Sequence, residues 1–518
     1  MTFACHNAQQ NTKADITDSI AAIKQKNVSV TGSFSSQTIL HFDSGNITQF
    51  IKKYPLFNAF QKDIEKFYSP RQYAYAWCDT SGVIEQADNL YNQVMNIDNE
   101  GLSKNVLYKD SLTALFAQPS SNINPEKELM LTAQYFNYAQ QVWGGISEEK
   151  TKKLNWFLPR KKLDLPFLMD SLLQDTSSSI IKKGYSYRQY ALLKEYLKRY
   201  RDIASKNNWT QIKADKKSYG PGDSAEVIKA TREKLFVLGD LSANSGSAVF
   251  DDELQNGIKN FRARFGIKQD GAIGQGIIDQ LNVPIEKYIE TIIVNMERCR
   301  WVPVNLNGEY IIVNIPDFRL YAYEQDSIAL IMKVVVGKSV HKTVIFNGDL
   351  KYVVFSPYWN VPPDIMKNEV LPALRKDPDY LKRNNMEWNG NSIRQKPGPK
   401  NSLGLVKFLF PNEYNIYLHD SPAKSLFNED QRAFSHGCIR VEQPKKLAEY
   451  LLRKDPTWTE VRIDRAMKKG KEQYVTLKDP VPVFIAYLTA WVDRQGRLNL
   501  RKDIYKRDDN LADMLMKN

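Results

Sequence analysis

Tyr310-Ile311-Ile312-Val313-Asn314-Ile315 is the stretch at which this chain changes its period. Upstream of it, apolar residues recur at helical spacing: Leu129-Met130-Leu131, Tyr135-Phe136 and Tyr138, then Tyr190, Leu193, Tyr196 and Leu197. From about residue 308 the spacing becomes that of strands, in which β-branched and aromatic side chains suit a pleated, half-buried surface. Arg319-Leu320-Tyr321-Ala322-Tyr323, Ala329–Val336 and Tyr352–Ser356 read the same way, with Asn347-Gly348-Asp349 as an expected turn between strands. Helices first and strands afterwards predict an α+β multidomain chain rather than an alternating α/β fold.

Working outward, the 518 residues suffice for three or four domains at roughly 100–200 residues each. Residues 1–36 are rich in Ser, Thr, Asn and Gln and read as a tether. Residues 37–212 form a helical scaffold with no catalytic constellation. Residues 213–285 read as a compact unit of three helices. Gly220-Pro221-Gly222 opens it, and Asp223 followed by Glu226 has the spacing of a capping box. Gly239 closes the first helix. Asp251 is placed to cap a second, whose Leu254, Ile258, Phe261 and Phe265 share one face, and Gly266 ends it. Ile277, Ile278 and Leu281 mark a third. Within the strand region, a Pro- and Asn-rich stretch at about 360–401 is too long for a hairpin and predicts a lobe over a site. Pro444–Arg453 is helical, and Val483–Leu500 supplies terminal strands in an extension spanning 466–518.

Lys and Arg outnumber Asp and Glu by 72 to 59, for a net charge of +13. Such a surface favours an anionic partner or serves solubility alone. The charges are dispersed, with no Lys/Arg run of the length a nucleic-acid arm needs, so nucleic acid is not expected as a partner. The longest apolar stretch, Val481–Val492, falls short of a membrane span and contains Pro482. At the amino end, Met1-Thr2-Phe3-Ala4-Cys5 precedes a polar run. It looks like the tail of a bacterial lipoprotein signal with Cys5 as the lipidated residue, without the charged and apolar parts of such a signal. A frayed amino end is the alternative.

None of the four cysteines lies in a Cys-x-x-Cys pair. Cys78 and Cys299 read as packed apolar residues. Cys438 stands apart, in Arg432-Ala433-Phe434-Ser435-His436-Gly437-Cys438-Ile439-Arg440. A cysteine attacks only as thiolate, and a neighbouring base or cation must supply that state. His436 and Arg440 lie two residues to either side. His419, in Tyr417-Leu418-His419-Asp420, ends an expected strand Asn415–Leu418 and stands 19 residues before Cys438, enough chain to loop out and return. Gly437 lets a substrate carbonyl approach the backbone, so that the N–H groups of Gly437 and Cys438 can face an oxyanion. This is the logic of covalent acyl transfer. A zinc site from His419, His436 and Cys438 is the rival arrangement, but the spacing matches no common zinc site.

Ser435-His436-Gly437-Cys438-Ile439-Arg440 with an upstream His419 resembles the signature of the L,D-transpeptidase (YkuD-type) catalytic domain. Asn314-Ile315-Pro316, Tyr358-Trp359-Asn360-Val361-Pro362, Pro397-Gly398-Pro399, Lys407-Phe408 and Arg432-Ala433-Phe434 extend the likeness to the large branch, which has a scaffold, a wall-binding module and a capping lobe. Leu238-Gly239, Phe261–Gly266 and Asp270–Gly274 resemble the small three-helix peptidoglycan-binding module.

The resemblance implies a mostly-β catalytic domain at 308–465. Its implied donor is the peptidoglycan stem peptide. Cys438 would attack the carbonyl of the third stem residue, expelling the terminal D-alanine, and His419 would take the thiol proton and later activate an acceptor amine. The backbone carbonyl of Asp420 would fix the His419 tautomer, and Tyr417 would bring a hydroxyl to the site. His436 and Arg440 would order it, Arg440 being suited also to a stem carboxylate, and Trp359 would stand where lobe meets groove. Core-packing roles compete for Trp359, Tyr417 and Arg440. No metal or organic cofactor is implied. The setting implied is the periplasmic envelope, with acylation by carbapenems and contacts to other cell-wall synthesis enzymes as further implications. Two other readings stand beside it: an L,D-carboxypeptidase, in which water replaces the acceptor amine, and a non-catalytic peptidoglycan-binding anchor.

Overall fold

The computed structural model describes residues 40–518 except 81, 120–121, 159–161, 175–186, 207–208, 269, 303–307, 326 and 517–518. The expected tether and Cys5 lie outside the described residues.

The amino-terminal region is helical. Its axis is α1, Pro125–Ala139, started by the Asn124 side chain accepting from the Lys127 N–H and by Pro125 in the first turn. A helix buried on all sides needs apolar residues all round, and α1 meets this with Leu129, Met130, Leu131, Tyr135, Phe136 and Tyr138. Its one buried carboxylate, Glu128, accepts from Tyr68 Oη and from the Ala76 and Trp77 N–H groups. Helix α2, Gln189–Lys206, follows.

The three-helix unit comprises α3 (Glu226–Leu238), α4 (Asp252–Phe265) and α5 (Gln275–Leu281). Gly239 and Gly266 end α3 and α4 in the left-handed conformation, and Asp251 caps α4 through the Leu254 N–H, 2.8 Å away. The capping box at Asp223–Glu226 does not form. The N-cap of α3 is Ala225, because Ser224 is drawn into a β-bridge with Val249. Asp223 therefore sits upstream of the helix and closes the glycine turn through the Gly220 N–H at 2.7 Å.

Helix α6, Ile285–Trp301, joins this unit to the strands and is buried along most of its length, charged residues included. Glu297 and Arg300 pair at 2.7 Å with both side chains fully buried. Arg300 also donates to the Val142 and Glu100 carbonyls of the scaffold, and Arg298 reaches Asp508 at 2.7 Å.

The strand region closes on itself. β1 (Glu309–Asn314), β2 (Arg319–Glu324) and β3 (Ser327–Gly337) form a meander, and β4 spans Asn347–Phe355. After the lobe come β8 (Val406–Leu409), β9 (Leu418–His419), β10 (Ala433–Ser435), β11 (Ile439–Val441) and β12 (Gln473–Ala486). The pairing runs β3–β11–β9–β8–β4–β12–β1–β2 and returns from β2 to β3, with β10 added beside β3. Such closure removes free edges. The expected turn at Asn347-Gly348-Asp349 is instead the first part of β4, held extended by pairing with Phe484, Val483 and Pro482 of β12. The expected strand Asn415–Leu418 shrinks to Leu418–His419, for a reason given below.

The lobe carries β5 (Trp359–Asn360), β6 (Met386–Asn389) and β7 (Ser392–Gln395) with short helical turns. It has its own small core of Val361, Val370 and Ile393, separate from the continuous core of the rest of the molecule.

Candidate active site

Two adjacent parallel strands build the site. Leu418 pairs with Ile439 and His419 with Arg440 across β9 and β11, and the Ile439 N–H donates to the Tyr417 carbonyl at 3.2 Å. Because side chains alternate along a strand, Tyr417 and His419 share a face with Cys438 and Arg440 beside them. The sequence-derived residues Cys438, His419, Tyr417 and Arg440 are thus brought together.

His419 is buried, and its Nδ1 donates to the Asp420 carbonyl at 2.5 Å, which leaves Nε2 as the lone-pair nitrogen. Asp420 is itself pinned. Its carboxylate accepts from the Leu405 N–H at 2.9 Å, the Ser421 N–H at 2.7 Å and Lys424 Nζ at 2.6 Å. Room for it comes from Gly404, at φ +62°, where a Cβ would lie 2.3 Å from the carboxyl group. Burial, then the Arg440 charge, pulls the imidazole down to about 3. The ring stands edge-on to Tyr417, centroids 5.7 Å apart.

The Cys438 thiol is partly exposed. Burial raises its pKa, against hydrogen bonds from Tyr417 and the Arg440 charge. Sγ donates to the Asn415 carbonyl at 3.6 Å. Sequence reading missed this acceptor. Asn415 has φ +54°, and the turn holding it is tied by Asn412, whose side chain donates to the Phe410 and Ile416 carbonyls and accepts from the Tyr414 and Ile416 N–H groups. That turn replaces the first part of the expected strand. Asn412 was a usable signal, since a short amide that satisfies nearby backbone favours turns over strands.

The loop before the cysteine is held from three sides. Ser435 Oγ donates to the Cys438 carbonyl at 2.5 Å and accepts from the Gly437 N–H at 3.1 Å. Gly437 therefore does not offer a free donor, which corrects the expectation of a paired oxyanion hole from Gly437 and Cys438. Gly437 has φ +117°, a conformation that disfavours other residues, and its missing Cβ would face open space. Thr343 Oγ1 donates to the Gly437 carbonyl and accepts from the Gly337 N–H, both at 2.9 Å. Tyr505, in the carboxyl-terminal extension, donates to the Gly337 carbonyl at 2.6 Å.

His436 is exposed, with Nε2 2.9 Å from Glu369 of the lobe and its ring 4.9 Å from that of His341. Trp359 packs against the lobe core. Arg440 is partly buried, and among the described residues its Nε has no acceptor. Cys78 and Cys299 are buried, with burial raising both pKa values, that of Cys299 to about 12.

Residues 308–463 match the family model of the L,D-transpeptidase catalytic domain (YkuD), and residues 62–197 match that of the scaffold domain. The chain carries a YkuD-type L,D-transpeptidase catalytic domain. A Haemophilus influenzae protein, whose curated name proposes an L,D-transpeptidase, is 34% identical over 244 residues, covering 43% of this chain and 49% of that protein. The chain spans about half the length of that relative. A solved L,D-transpeptidase from Stackebrandtia nassauensis shares 13% identity over 53% of this chain and 96% of its own, with a TM-score of 0.22. One from Xylanimonas cellulosilytica shares 12% over 53% and 100%, with a TM-score of 0.18. In the transpeptidase domain the paired strands β9 and β11, with their four facing side chains, are the features from which chemistry is built.

Proposed function

We propose that this protein is a cysteine-dependent L,D-transpeptidase that links peptidoglycan stem peptides through their third residues. The observation that carries the reading is the His419 Nδ1 contact with the Asp420 carbonyl, on the strand beside Cys438. It holds the imidazole in the tautomer whose Nε2 can accept a proton, in the manner of the third member of a triad.

At rest the thiol is raised and the imidazole lowered, so both groups are neutral near pH 7. Sγ forms a bond to the carbonyl carbon of the third stem residue as its proton passes to His419 Nε2. The tetrahedral oxyanion lies near the Cys438 N–H and the Tyr417 hydroxyl. Collapse breaks the amide bond to D-alanine, whose nitrogen takes the proton from His419, leaving a thioester. An acceptor amine then gives a proton to His419, attacks the thioester and restores the thiol. Arg440 is suited to a stem carboxylate through its guanidinium group. The thioester conserves the energy of the broken amide, so no nucleotide enters the cycle.

The three-helix unit at 213–285 is assigned to peptidoglycan binding and the lobe at about 360–401 to shaping the acceptor side. The compartment that fits this substrate is the cell envelope. Among the described residues no helix is long and apolar enough to cross a membrane, and lipidation of Cys5 is the anchor proposed. Incubation with disaccharide tetrapeptides tests the reading. Third-to-third dimers that vanish in Cys438→Ala support it. Tripeptide alone indicates hydrolysis, and unchanged substrate with retained sacculus binding indicates an anchor.

A further inference from the structure

A cavity of about 860 Å³ opens where the three-helix unit, α6, the β2–β3 wall and the carboxyl-terminal extension meet. It lies outside the cysteine site. Seven of its lining side chains are Lys or Arg and two are Asp.

Three of the seven cations are already matched. Arg501 Nε lies 2.8 Å from Asp317, Arg432 donates to the Val334, Glu429 and Phe318 carbonyls, and Lys287 pairs with Asp509 at 2.8 Å. The other four are Lys268, Arg319, Lys333 and Lys502. Among the described residues no carboxylate lies within ion-pair distance of Lys268, Arg319 or Lys502, and Lys333 has only Glu442 at 3.7 Å. The remaining acid on the wall is Asp430.

Arg319 and Lys333 are also direct partners across the β2–β3 ladder. Like charges directly opposite each other destabilise a sheet. Glu442, 3.7 Å from Lys333, offsets part of that repulsion, and an anion seated between Arg319 and Lys333 would relieve the rest. Phe265, Tyr288 and Phe318 add apolar surface to the lining.

We propose that this cavity binds the carboxylate-bearing end of a peptide, with Arg319 and Lys333 as its main contacts. The identification of that peptide as a second, unreacting peptidoglycan stem rests on the function proposed above. Bound here, such a stem fixes a strand against the three-helix unit while Cys438 acts on another.

The test titrates a disaccharide tetrapeptide into the Cys438-alkylated full chain, with the peptide-free disaccharide as control. The Arg319→Gln/Lys333→Gln double variant is compared with the parent. Binding that falls with added salt in the parent and is roughly tenfold weaker in the double variant is the expected result. The thermal midpoint of the double variant should stay close to the parental one, because the repulsion removed and the half-exposed Lys333–Glu442 pair lost are both small and opposite in sign, and this shows that the variant folds. Equal affinity in parent and variant, equal binding of the peptide-free disaccharide, or no binding at all would overturn the proposal. Cross-linking by the unalkylated chain reports separately on the proposed function. Loss of the cavity site with cross-linking intact leaves that function standing, and tetrapeptide capture at the cavity without any cross-linking leaves the cavity standing.

Discussion

At the scale of single residues, Cys438 and His419 rest as a neutral thiol and imidazole. The raised thiol implies little thiolate at neutral pH. Alkylation of Cys438 by iodoacetamide should therefore climb throughout the range from pH 7 to pH 10, and a rate already level below pH 7 would show a preformed thiolate pair. The imidazole has a consequence for stability too. Its folded pKa, about 3, lies below the ordinary 6.5, so the unfolded chain binds a proton that the folded chain refuses. Stability from this group is complete above about pH 6.5 and is lost as pH falls towards 3. Between pH 7 and pH 5 the loss attributable to His419 is about 2 kcal/mol. Denaturant titrations should show that loss in the parent and its absence in His419→Gln. That these two residues stand beside each other on neighbouring strands was legible in the sequence, where both lie in short runs of distinctive spacing. The Asn415 carbonyl was not, since a backbone oxygen carries no signature of its own and its placement depends on the left-handed turn that Asn412 ties.

At the scale of elements, the Cys438 loop is held by partners far away in sequence. Thr343 bridges the Gly337 N–H to the Gly437 carbonyl, and Tyr505 holds Gly337 from the other side. Replacing Thr343 by valine leaves the buried Gly337 N–H without its acceptor, at about 1–3 kcal/mol. Thr343→Val should unfold at lower denaturant by that amount and should alkylate at Cys438 with altered rate, whereas Thr343→Ser should restore both. An unchanged alkylation rate in Thr343→Val would mean that the bridge does not position the loop. The strands of the transpeptidase domain were legible where β-branched residues run together, as in β1 and β3. They were misread at Asn347–Asp349, where turn-forming composition is overruled by pairing with β12, and at Asn415, where a strand-like run is broken by a side-chain-tied turn.

At the scale of the whole molecule, among the described residues, the scaffold, the three-helix unit and the transpeptidase domain share a continuous apolar core, and the lobe has its own. Polar ties reinforce the joints. Arg264 of α4 forms two bonds to Asp240, at 2.6 and 2.5 Å, and reaches the Leu498 carbonyl of the extension. Removing Asp240 strands a buried guanidinium, so Asp240→Ala should lose about 3–5 kcal/mol, measured by chemical denaturation. A loss below 1 kcal/mol would show that the joint is wet and loose. The order of parts was legible from changes of period along the chain. Helix α6, which binds them together, was not assigned, because Glu297, Arg298 and Arg300 are buried and erase the amphipathic pattern by which helices are recognised.

The most direct measurement is the intact mass of the protein after mixing with disaccharide tetrapeptide in the absence of an acceptor, followed by mapping of the modified peptide. The expected result is one adduct with the mass of the donor less alanine, on the peptide containing Cys438 and absent from Cys438→Ala. Release of D-alanine by Cys438→Ala at the parental rate, with no adduct on either protein, would contradict it.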